Sequence, residues 1–178
     1  KEFRGELSQK KAIALADKGK TLRILVADDL ANNRQFLVAL LISLGFEVRE
    51  AENGEEALSL RSSWEPDLIL MDMRMPVMDG YEATKRIKAR EKGQSTIIIA
   101  LTATAFEEDR QKILAAGCDD FLGKPFREEV LLEKIADRLG IEYIYKGDDS
   151  SSQESNKIPE KICTTSDIIQ YLSQMPEN

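Results

Sequence analysis

The sequence has no histidine among its 178 residues. This absence excludes serine–histidine–aspartate and cysteine–histidine catalysis, histidine-ligated metal sites, and any phosphohistidine formed within the chain itself. Cysteine is also scarce, because Cys118 and Cys163 are the only two, and they form neither a CxxC motif nor a disulfide framework. So little cysteine is typical of a reducing compartment, and we expect a cytoplasmic location.

Long apolar runs and an excess of positive charge are missing as well. The longest uninterrupted apolar runs, such as residues 97–101, fall far short of the ~20 residues of a membrane-spanning helix, and we expect no signal peptide. Acidic residues outnumber basic ones by 32 to 25, and the net charge of −7 disfavours general binding to nucleic acids or anionic membranes. Because the first residue is Lys rather than Met, we expect a fragment of a longer parent.

Apolar runs and helical patterns alternate from residue 22 to residue 139. The apolar runs predict strands at 22–27, 46–51, 67–71, 96–101 and 120–122, and the helical spacing predicts helices at 30–44, 55–63, 81–91, 105–116 and 128–139. Short strand–helix–strand units connect parallel strands by right-handed crossovers, which places helices on both faces of one sheet. We therefore predict an α/β fold whose central strands are the uninterrupted apolar runs 68–71 and 97–101.

The flanks of this block have weaker patterns. Residues 1–20 carry only a faint helical pattern (Leu7, Ile13, Leu15), so we expect an N-terminal connector before a globular domain at 21–141. Residues 142–164 include a polar, serine-rich stretch and predict a flexible linker. Residues 165–178 predict a short helical tail, with Ser166 as its cap and Ile168, Ile169 and Leu172 on one face, and we interpret it as the start of a truncated domain.

Side chains suited to chemistry follow four of the five predicted strands. Asp28 and Asp29 follow the first strand, Asp72 the third, Thr102 the fourth and Lys124 the fifth. Parallel strands end at the same edge of a sheet, and ligands of open α/β sheets bind at that edge. We therefore expect three carboxylates, a hydroxyl and an ammonium group to converge there.

Three neighbouring carboxylates repel one another and raise one another's pKa values unless a cation stabilises their charged forms. Oxygen ligands without histidine or thiolate favour a hard ion such as Mg²⁺, which typically takes one or two carboxylates and a phosphate oxygen. Lys124 is positive and so is unsuited to metal binding, but it suits a phosphoryl group, as does the hydroxyl of Thr102. The edge is thus expected to hold a phosphoryl group beside a metal ion.

Four segments in this order resemble the receiver domain of two-component response regulators. They are the acidic pair 28–29, Met71-Asp-Met-Arg-Met-Pro-Val-Met-Asp-Gly80, Ala100-Leu-Thr-Ala103 and Phe121-Leu-Gly-Lys-Pro125, and the resemblance covers about residues 21–141. It implies a doubly wound (βα)5, flavodoxin-like parallel sheet in which the five predicted strands have the order 2-1-3-4-5.

The resemblance also implies a role for each residue of the site. Asp72 would be the phosphoacceptor, and Mg²⁺ would be bound by Asp28, Asp29, Asp72 and the backbone carbonyl of Arg74. Thr102 and Lys124 would hold phosphoryl oxygens, Thr102 and Phe121 would form the switch, and the Lys124–Pro125 bond would be cis. Phe121 stands where many members of the family have Tyr, so burial rather than a hydroxyl hydrogen bond would have to drive the switch.

A receiver of this kind is a phosphoacceptor switch in a phosphorelay. It would take a phosphoryl group from a phosphohistidine of a histidine kinase domain, and the face made by its fourth helix, fifth strand and fifth helix would change. A histidine phosphotransfer protein would be a further partner, and we expect no nucleic acid or membrane partner. The fragment would be no turnover enzyme beyond its own phosphorylation and dephosphorylation. The phrases Ala-Leu-Thr-Ala-Thr-Ala-Phe and Gly-Cys-Asp-Asp-Phe resemble receivers of hybrid sensor histidine kinases, which indicates such a parent.

Other interpretations of the same residues stay open at this point. Asp28 and Asp29 are also suited to capping the first helix, and Asp72 to a loop before Pro76. A Mg²⁺-dependent phosphohydrolase of the haloacid dehalogenase kind also uses an aspartate at a strand end, but its DxD motif fails because Arg74 stands two residues after Asp72. A phosphorylation-independent binding module with the receiver fold is the third alternative.

Overall fold

The computed structural model describes residues 12–16, 19–90, 96–104 and 106–146, apart from the side chain of Ile13. Its strands are β1 (Ala12–Leu15), β2 (Arg23–Ala27), β3 (Glu47–Ala51), β4 (Leu68–Asp72), β5 (Ile97–Thr102), β6 (Asp120–Gly123) and β7 (Tyr143–Tyr145). Its helices are α1 (Ala31–Leu44), α2 (Gly54–Trp64), α3 (Gly80–Arg90), α4 (Glu107–Ala116) and α5 (Glu128–Leu139). The ten predicted elements are all present, with ends shifted by at most two residues.

Five parallel strands form the central sheet in the order β3-β2-β4-β5-β6. β1 lies outside this sheet. When the five strands of the sheet are numbered 1 to 5 along the chain, their order is the predicted 2-1-3-4-5, so the predicted fold class is confirmed. The register pairs Val26 with Leu70, and Leu70 with Ile99. The carboxyl ends of β2, β4 and β5 are thereby aligned at one edge.

The apolar residues of the central strands are divided between two cores. Val26, Leu70 and Ile99 belong to a cluster that includes residues of α1 and α5, and their neighbours Leu25 and Ile69 belong to a cluster with residues of α2, α3 and α4. Successive side chains of a strand point to opposite faces, so a strand covered on both faces must be apolar throughout. This requirement explains why the central strands lack polar alternation.

The segments flanking the sheet differ from the sequence-based expectation. β1 pairs antiparallel with β7, with Ala12 opposite Tyr145 and Leu15 opposite Tyr143. Residues 12–15 therefore form a strand and not the helix that their faint pattern indicated. Residues 143–145 also form a strand, where a flexible linker was expected. Aromatic and branched side chains at 143–145 favour a strand, and the Tyr143 hydroxyl donates a hydrogen bond to the Leu132 carbonyl of α5 at 2.9 Å.

Several predicted features lie outside the described residues. These are Leu7, Cys163, the serine-rich stretch beyond residue 146 and the tail helix at 165–178. Within the part of the chain that the structure describes, no helix has the length and apolar character needed to cross a membrane.

Polar and aromatic side chains at the ends of α2 and α3 act as caps and packing residues. Asn53 accepts a hydrogen bond from the Glu56 amide at the start of α2 (2.9 Å), and Asp79 accepts one from the Glu82 amide at the start of α3 (2.8 Å). Trp64 is buried at the end of α2, as expected of a packing residue. The two hydrogen bonds cap the first turns of α2 and α3 and fix where these helices begin.

Gly80 marks a close approach of α3 to the end of β4. A β-carbon at this position would overlap the backbone carbonyl of Asp72 and lie 2.8 Å from the α-carbon of Met73. The Gly80 amide donates a hydrogen bond to the Met73 carbonyl at 3.1 Å. The first residue of α3 thus lies directly against the backbone that carries Asp72.

We expect Gly80→Ala to lower the free energy of unfolding by about 2 kcal/mol, because the added methyl group forces backbone apart in a packed region. Urea denaturation measures the loss. Gly140→Ala is the matched control: its β-carbon meets no atom within 4 Å, and only its left-handed backbone (φ 65°) opposes the change. Equal unfolding midpoints for Gly80→Ala and the unsubstituted chain would contradict the argument.

Candidate functional site

The polar residues predicted at the strand ends meet at the carboxyl edge of the sheet. Asp28 follows β2, Asp72 ends β4, Thr102 ends β5 and Lys124 follows β6. One carboxylate oxygen from each of Asp28, Asp29 and Asp72 lies within 4.8 Å of the others. The structure therefore brings the three acidic residues into one cluster, although 44 positions separate Asp28 from Asp72 in the sequence.

Lys124 lies between two of these carboxylates. Its Nζ is 2.8 Å from Oδ2 of Asp28 and 3.3 Å from Oδ2 of Asp72. The Lys124–Pro125 peptide bond is cis, and the Lys124 amide donates a hydrogen bond to the Thr102 carbonyl at 2.6 Å. β5 and the end of β6 together place the ammonium group over the acidic cluster.

Asp28 is fully buried, and its carboxylate uses both oxygens. Oδ1 accepts the Leu30 amide at 2.9 Å, and Asn33 Nδ2 lies 3.2 Å from Oδ2. The contact with Leu30 orders the loop before α1, as the capping interpretation of this acidic pair anticipated in part. The contact with Lys124 belongs to the cluster, so one side chain serves both the loop and the site.

Asp72 is largely buried beside Asp28, with 8% of its surface exposed. Its Oδ1 accepts the Arg74 amide at 3.0 Å, which leaves Oδ2 on the side of Lys124. Burial raises the pKa of Asp72 and the Asp28 charge adds to this, whereas the Arg74 amide and Lys124 lower it; the net pKa is above the ordinary value. The ionised form of Asp72 therefore lacks full compensation within the chain.

Lys124 shows the opposite balance. Burial alone would lower the pKa of Lys124, but the hydrogen bond to Asp28 and the charges of Asp72 and Asp28 outweigh it, and the net pKa is raised. Lys124 consequently remains an ammonium group throughout the neutral range, as a residue that neutralises anionic oxygens must.

The donor set of the acidic cluster fits Mg²⁺. It consists of carboxylate oxygens only, without sulfur or imidazole, which suits a hard divalent ion. Asp29 is exposed, and among the described residues no hydrogen bond or ion pair to its carboxylate is found. Burial, the largest cause of the raised pKa of Asp72, and the neighbouring charge of Asp28 both disfavour the ionised carboxylate, so a further cation has both ligands and an electrostatic reason to bind here.

The two predicted switch residues lie farther along the same edge. The Thr102 hydroxyl is buried; it donates to the Thr104 carbonyl at 2.9 Å, and the Thr104 amide lies 3.3 Å from it. Phe121 is partly exposed in β6, with the Arg110 guanidinium carbon 5.2 Å and Lys134 Nζ 5.9 Å from its ring centroid. The ring of Phe121 thus lies between cations of α4 and α5, at distances typical of cation–π contacts.

Two residues near the site were missed by the sequence reasoning. Asn33 contacts the Asp28 carboxylate, and Arg34 is buried in the first turns of α1, where it contacts the backbone of the acidic pair. A signal for Arg34 existed, because it precedes Leu37, Leu41 and Leu44 at helical spacing on the buried face of α1. Asn33 had no comparable signal.

Cys118 contributes no chemistry to the cluster. It is buried beside Thr84, and burial raises the pKa of its thiol to about 11. A thiol with such a pKa is protonated at neutral pH and is a poor nucleophile. Cys118 is therefore a packing residue.

Comparison with known protein families identifies the class of protein to which this fold and acidic cluster belong. The family model of the response regulator receiver domain matches residues 24–136, which is more than half of the chain. The chain belongs to this family of two-component signalling domains, and the predicted resemblance is confirmed.

Particular relatives have the same domain inside larger proteins or as separate structures. The chain is 39% identical to the sensor histidine kinase RcsC of Salmonella typhimurium over 121 residues, which are 68% of this chain but 13% of that protein. It is 40% identical (TM-score 0.63) to the receiver domain of the Pseudomonas aeruginosa sensor histidine kinase PA1611, solved with magnesium in its active-site cleft; 68% of this chain and 99% of that chain are covered.

A third similarity concerns a complex. The chain is 31% identical, with a TM-score of 0.61, to a chain of the Saccharomyces cerevisiae complex of the histidine phosphotransfer protein Ypd1 with the receiver domain of Ssk1; the match covers 66% of this chain and 88% of that chain. The curated relative RcsC is much longer than the segment that it shares with this chain, because that segment is 13% of its length.

The raised pKa of Asp72 predicts a pH-dependent effect of Asp72→Asn on stability. The folded state holds the Asp72 proton more tightly than the unfolded chain, so this carboxyl makes folding less favourable as the pH rises through and above 3.8. We expect Asp72→Asn to unfold at higher urea concentration than the unsubstituted chain at pH 7. The difference should disappear near pH 3 because both states are then protonated.

Asp137→Asn is the control, because this carboxylate lies exposed on α5 and outside the cluster. Its unfolding midpoint should differ little from that of the unsubstituted chain at pH 7. An Asp72→Asn midpoint at or below the unsubstituted value at pH 7 would contradict the electrostatic assignment.

Proposed function

We propose that the chain is a phosphoacceptor switch in which Asp72 receives a phosphoryl group from a phosphohistidine of a partner histidine kinase. One observation carries the proposal: the Asp72 carboxylate lies 3.3 Å from Lys124 and within 4.8 Å of the carboxylates of Asp28 and Asp29. An aspartate in this setting has one cation, Lys124, beside it and acidic partners suited to a second cation, Mg²⁺. A phosphoryl acceptor needs such cations because they neutralise the negative charge of the transferred group.

In the transfer step, a carboxylate oxygen of Asp72 attacks the phosphorus in line with the leaving imidazole. A new P–O bond forms, the P–N bond breaks, and the imidazole of the donor keeps the electron pair and takes up a proton. Lys124 offers its ammonium group to an equatorial phosphoryl oxygen, and Asp28 holds Lys124 in place during this step. Mg²⁺ bound by Asp28, Asp29, Asp72 and the Arg74 carbonyl would supply further neutralisation of charge.

The acyl phosphate is then the signal. We propose that the Thr102 hydroxyl exchanges its bond with Thr104 for one to a phosphoryl oxygen, and that Phe121 turns into the space released. This change would alter the face made by α4, β6 and α5. Attack of water on phosphorus would later release inorganic phosphate and restore the Asp72 carboxylate.

The comparisons support the proposed partners. RcsC and PA1611 are sensor histidine kinases, and Ssk1 forms a complex with the phosphotransfer protein Ypd1. We infer that this receiver belongs to a hybrid sensor histidine kinase in the cytoplasm, takes its phosphoryl group from a kinase domain and passes it to a histidine phosphotransfer protein. The residues before β1 and after β7 would then serve as connectors to other domains.

Incubation with acetyl phosphate and Mg²⁺ tests the proposal. We expect one phosphoryl group per chain by intact-mass measurement, and none in Asp72→Asn, because no other carboxylate takes the position of Asp72. Asp79→Asn, which changes an exposed helix cap, is the control and should be phosphorylated normally. Continuous release of phosphate without an adduct would favour a phosphohydrolase, and no reaction would favour a binding module; either result rejects the switch.

Binding of Mg²⁺ should stabilise the fold. At 100 times its dissociation constant, Mg²⁺ is expected to raise the free energy of unfolding by about 2.7 kcal/mol, since it binds only the folded cluster. Asp29→Asn should lose most of this gain while changing stability little without the metal, because its side chain is exposed. Glu133→Gln on α5 serves as the control. An equal response of Asp29→Asn and Glu133→Gln would refute the assignment of Asp29.

A further inference from the structure

Arg34 is a buried cation beside the acidic cluster, with only 6% of its surface exposed. It lies in the first turns of α1, and its amide donates to the Leu30 carbonyl at 3.1 Å. Burying a guanidinium group is costly unless hydrogen bonds and opposite charge compensate for the lost water. The contacts of this side chain therefore show what holds it in the protein.

The guanidinium group binds the backbone of the acidic pair. Nη1 of Arg34 donates to the Asp28 carbonyl at 2.8 Å and lies 3.2 Å from the Asp29 carbonyl, also as donor. These two consecutive carbonyls belong to the residues whose carboxylates converge with that of Asp72. Fixing both carbonyls fixes the peptide planes that follow Asp28 and Asp29, and these planes restrict the directions available to the two side chains.

Glu52 holds the other end of the guanidinium group. Nη2 of Arg34 donates to Oε1 of Glu52 at 3.0 Å, and Nε lies 3.9 Å from Oε2 of Glu50. The Glu52 amide in turn donates to the Glu56 carboxylate at 2.9 Å. Arg34 is thus connected on one side to the loop after β2 and on the other to the loop after β3.

We propose that Arg34, anchored by Glu52, is a positioning residue that holds the Asp28–Asp29 loop in the geometry that binds Mg²⁺. The inference rests on the proposed function. Three converging carboxylates repel one another, and the repulsion favours spreading of the loop when no metal is bound. The Arg34 contacts to both carbonyls oppose that spreading, so less ordering remains to be done when the ion binds.

A purely structural role would make a different prediction. Arg23 makes a similar contact at the opposite end of β2: its Nη1 donates to the Trp64 carbonyl at 2.9 Å, and its Nε lies 3.6 Å from Glu47. Substituting either arginine should cost stability. Only Arg34 lies against the acidic pair, so only its substitution should change the affinity for Mg²⁺.

The test is titration calorimetry of Mg²⁺ into the full chain, with urea denaturation of each variant to confirm folding. We expect Arg34→Gln to raise the Mg²⁺ dissociation constant about tenfold, the size of effect usual for a partner that orients metal ligands. Glu52→Ala should raise it several-fold. Glu52→Gln keeps a carbonyl oxygen for Nη2 and should bind Mg²⁺ as the unsubstituted chain does.

Arg23→Gln is the matched control and should leave the dissociation constant unchanged. Unchanged Mg²⁺ affinity in Arg34→Gln and Glu52→Ala would overturn the inference and leave Arg34 as a structural residue. If Arg34→Gln does not fold, Glu52→Ala decides alone, since Glu52 has an exposed side chain. A failure of the proposed function is distinguishable, because then the unsubstituted chain itself binds no Mg²⁺ and accepts no phosphoryl group.

Discussion

The contact between the Lys124 ammonium and the carboxylates of Asp28 and Asp72 is the interaction on which the rest of the site depends. A fully buried aspartate beside a second, largely buried one is tolerable only if positive charge is close to both. The parallel sheet provides that proximity, because the three residues stand at the ends of β2, β4 and β6. The fold therefore determines the electrostatics of this edge, because it places Lys124 beside both carboxylates.

The compensation within the chain is incomplete, and this has a functional meaning. One ammonium group faces two carboxylates directly, while Asp29 adds a third from an exposed position. Burial and, to a lesser extent, the charge of Asp28 keep the pKa of Asp72 raised despite the Arg74 amide and Lys124. A site whose carboxylates were fully neutralised by protein cations would have little tendency to bind a metal ion or to respond to a newly bound charged group. The incompletely neutralised cluster is suited to both roles. The two apolar cores hold the strand ends beneath it.

Much of the fold followed from the sequence because its cause is local. Uninterrupted apolar runs such as 68–71 identify strands covered on both faces, and the residues after them identify the site edge. The strand order came from the family resemblance, since periodicity does not determine which strands are neighbours. Pairing of Ala12 with Tyr145 depends on contacts across the whole domain and leaves no local signal. The burial of Arg34 had a signal, its spacing to Leu37, but a charged residue is not expected in a core.

The antiparallel pairing of β1 with β7 brings the entry and exit points of the domain side by side. A domain with neighbouring ends can be inserted between other segments of a polypeptide without holding those segments far apart. Tension applied across such ends would separate the two strands bond by bond from Ala12 and Tyr145, before it loaded the central sheet.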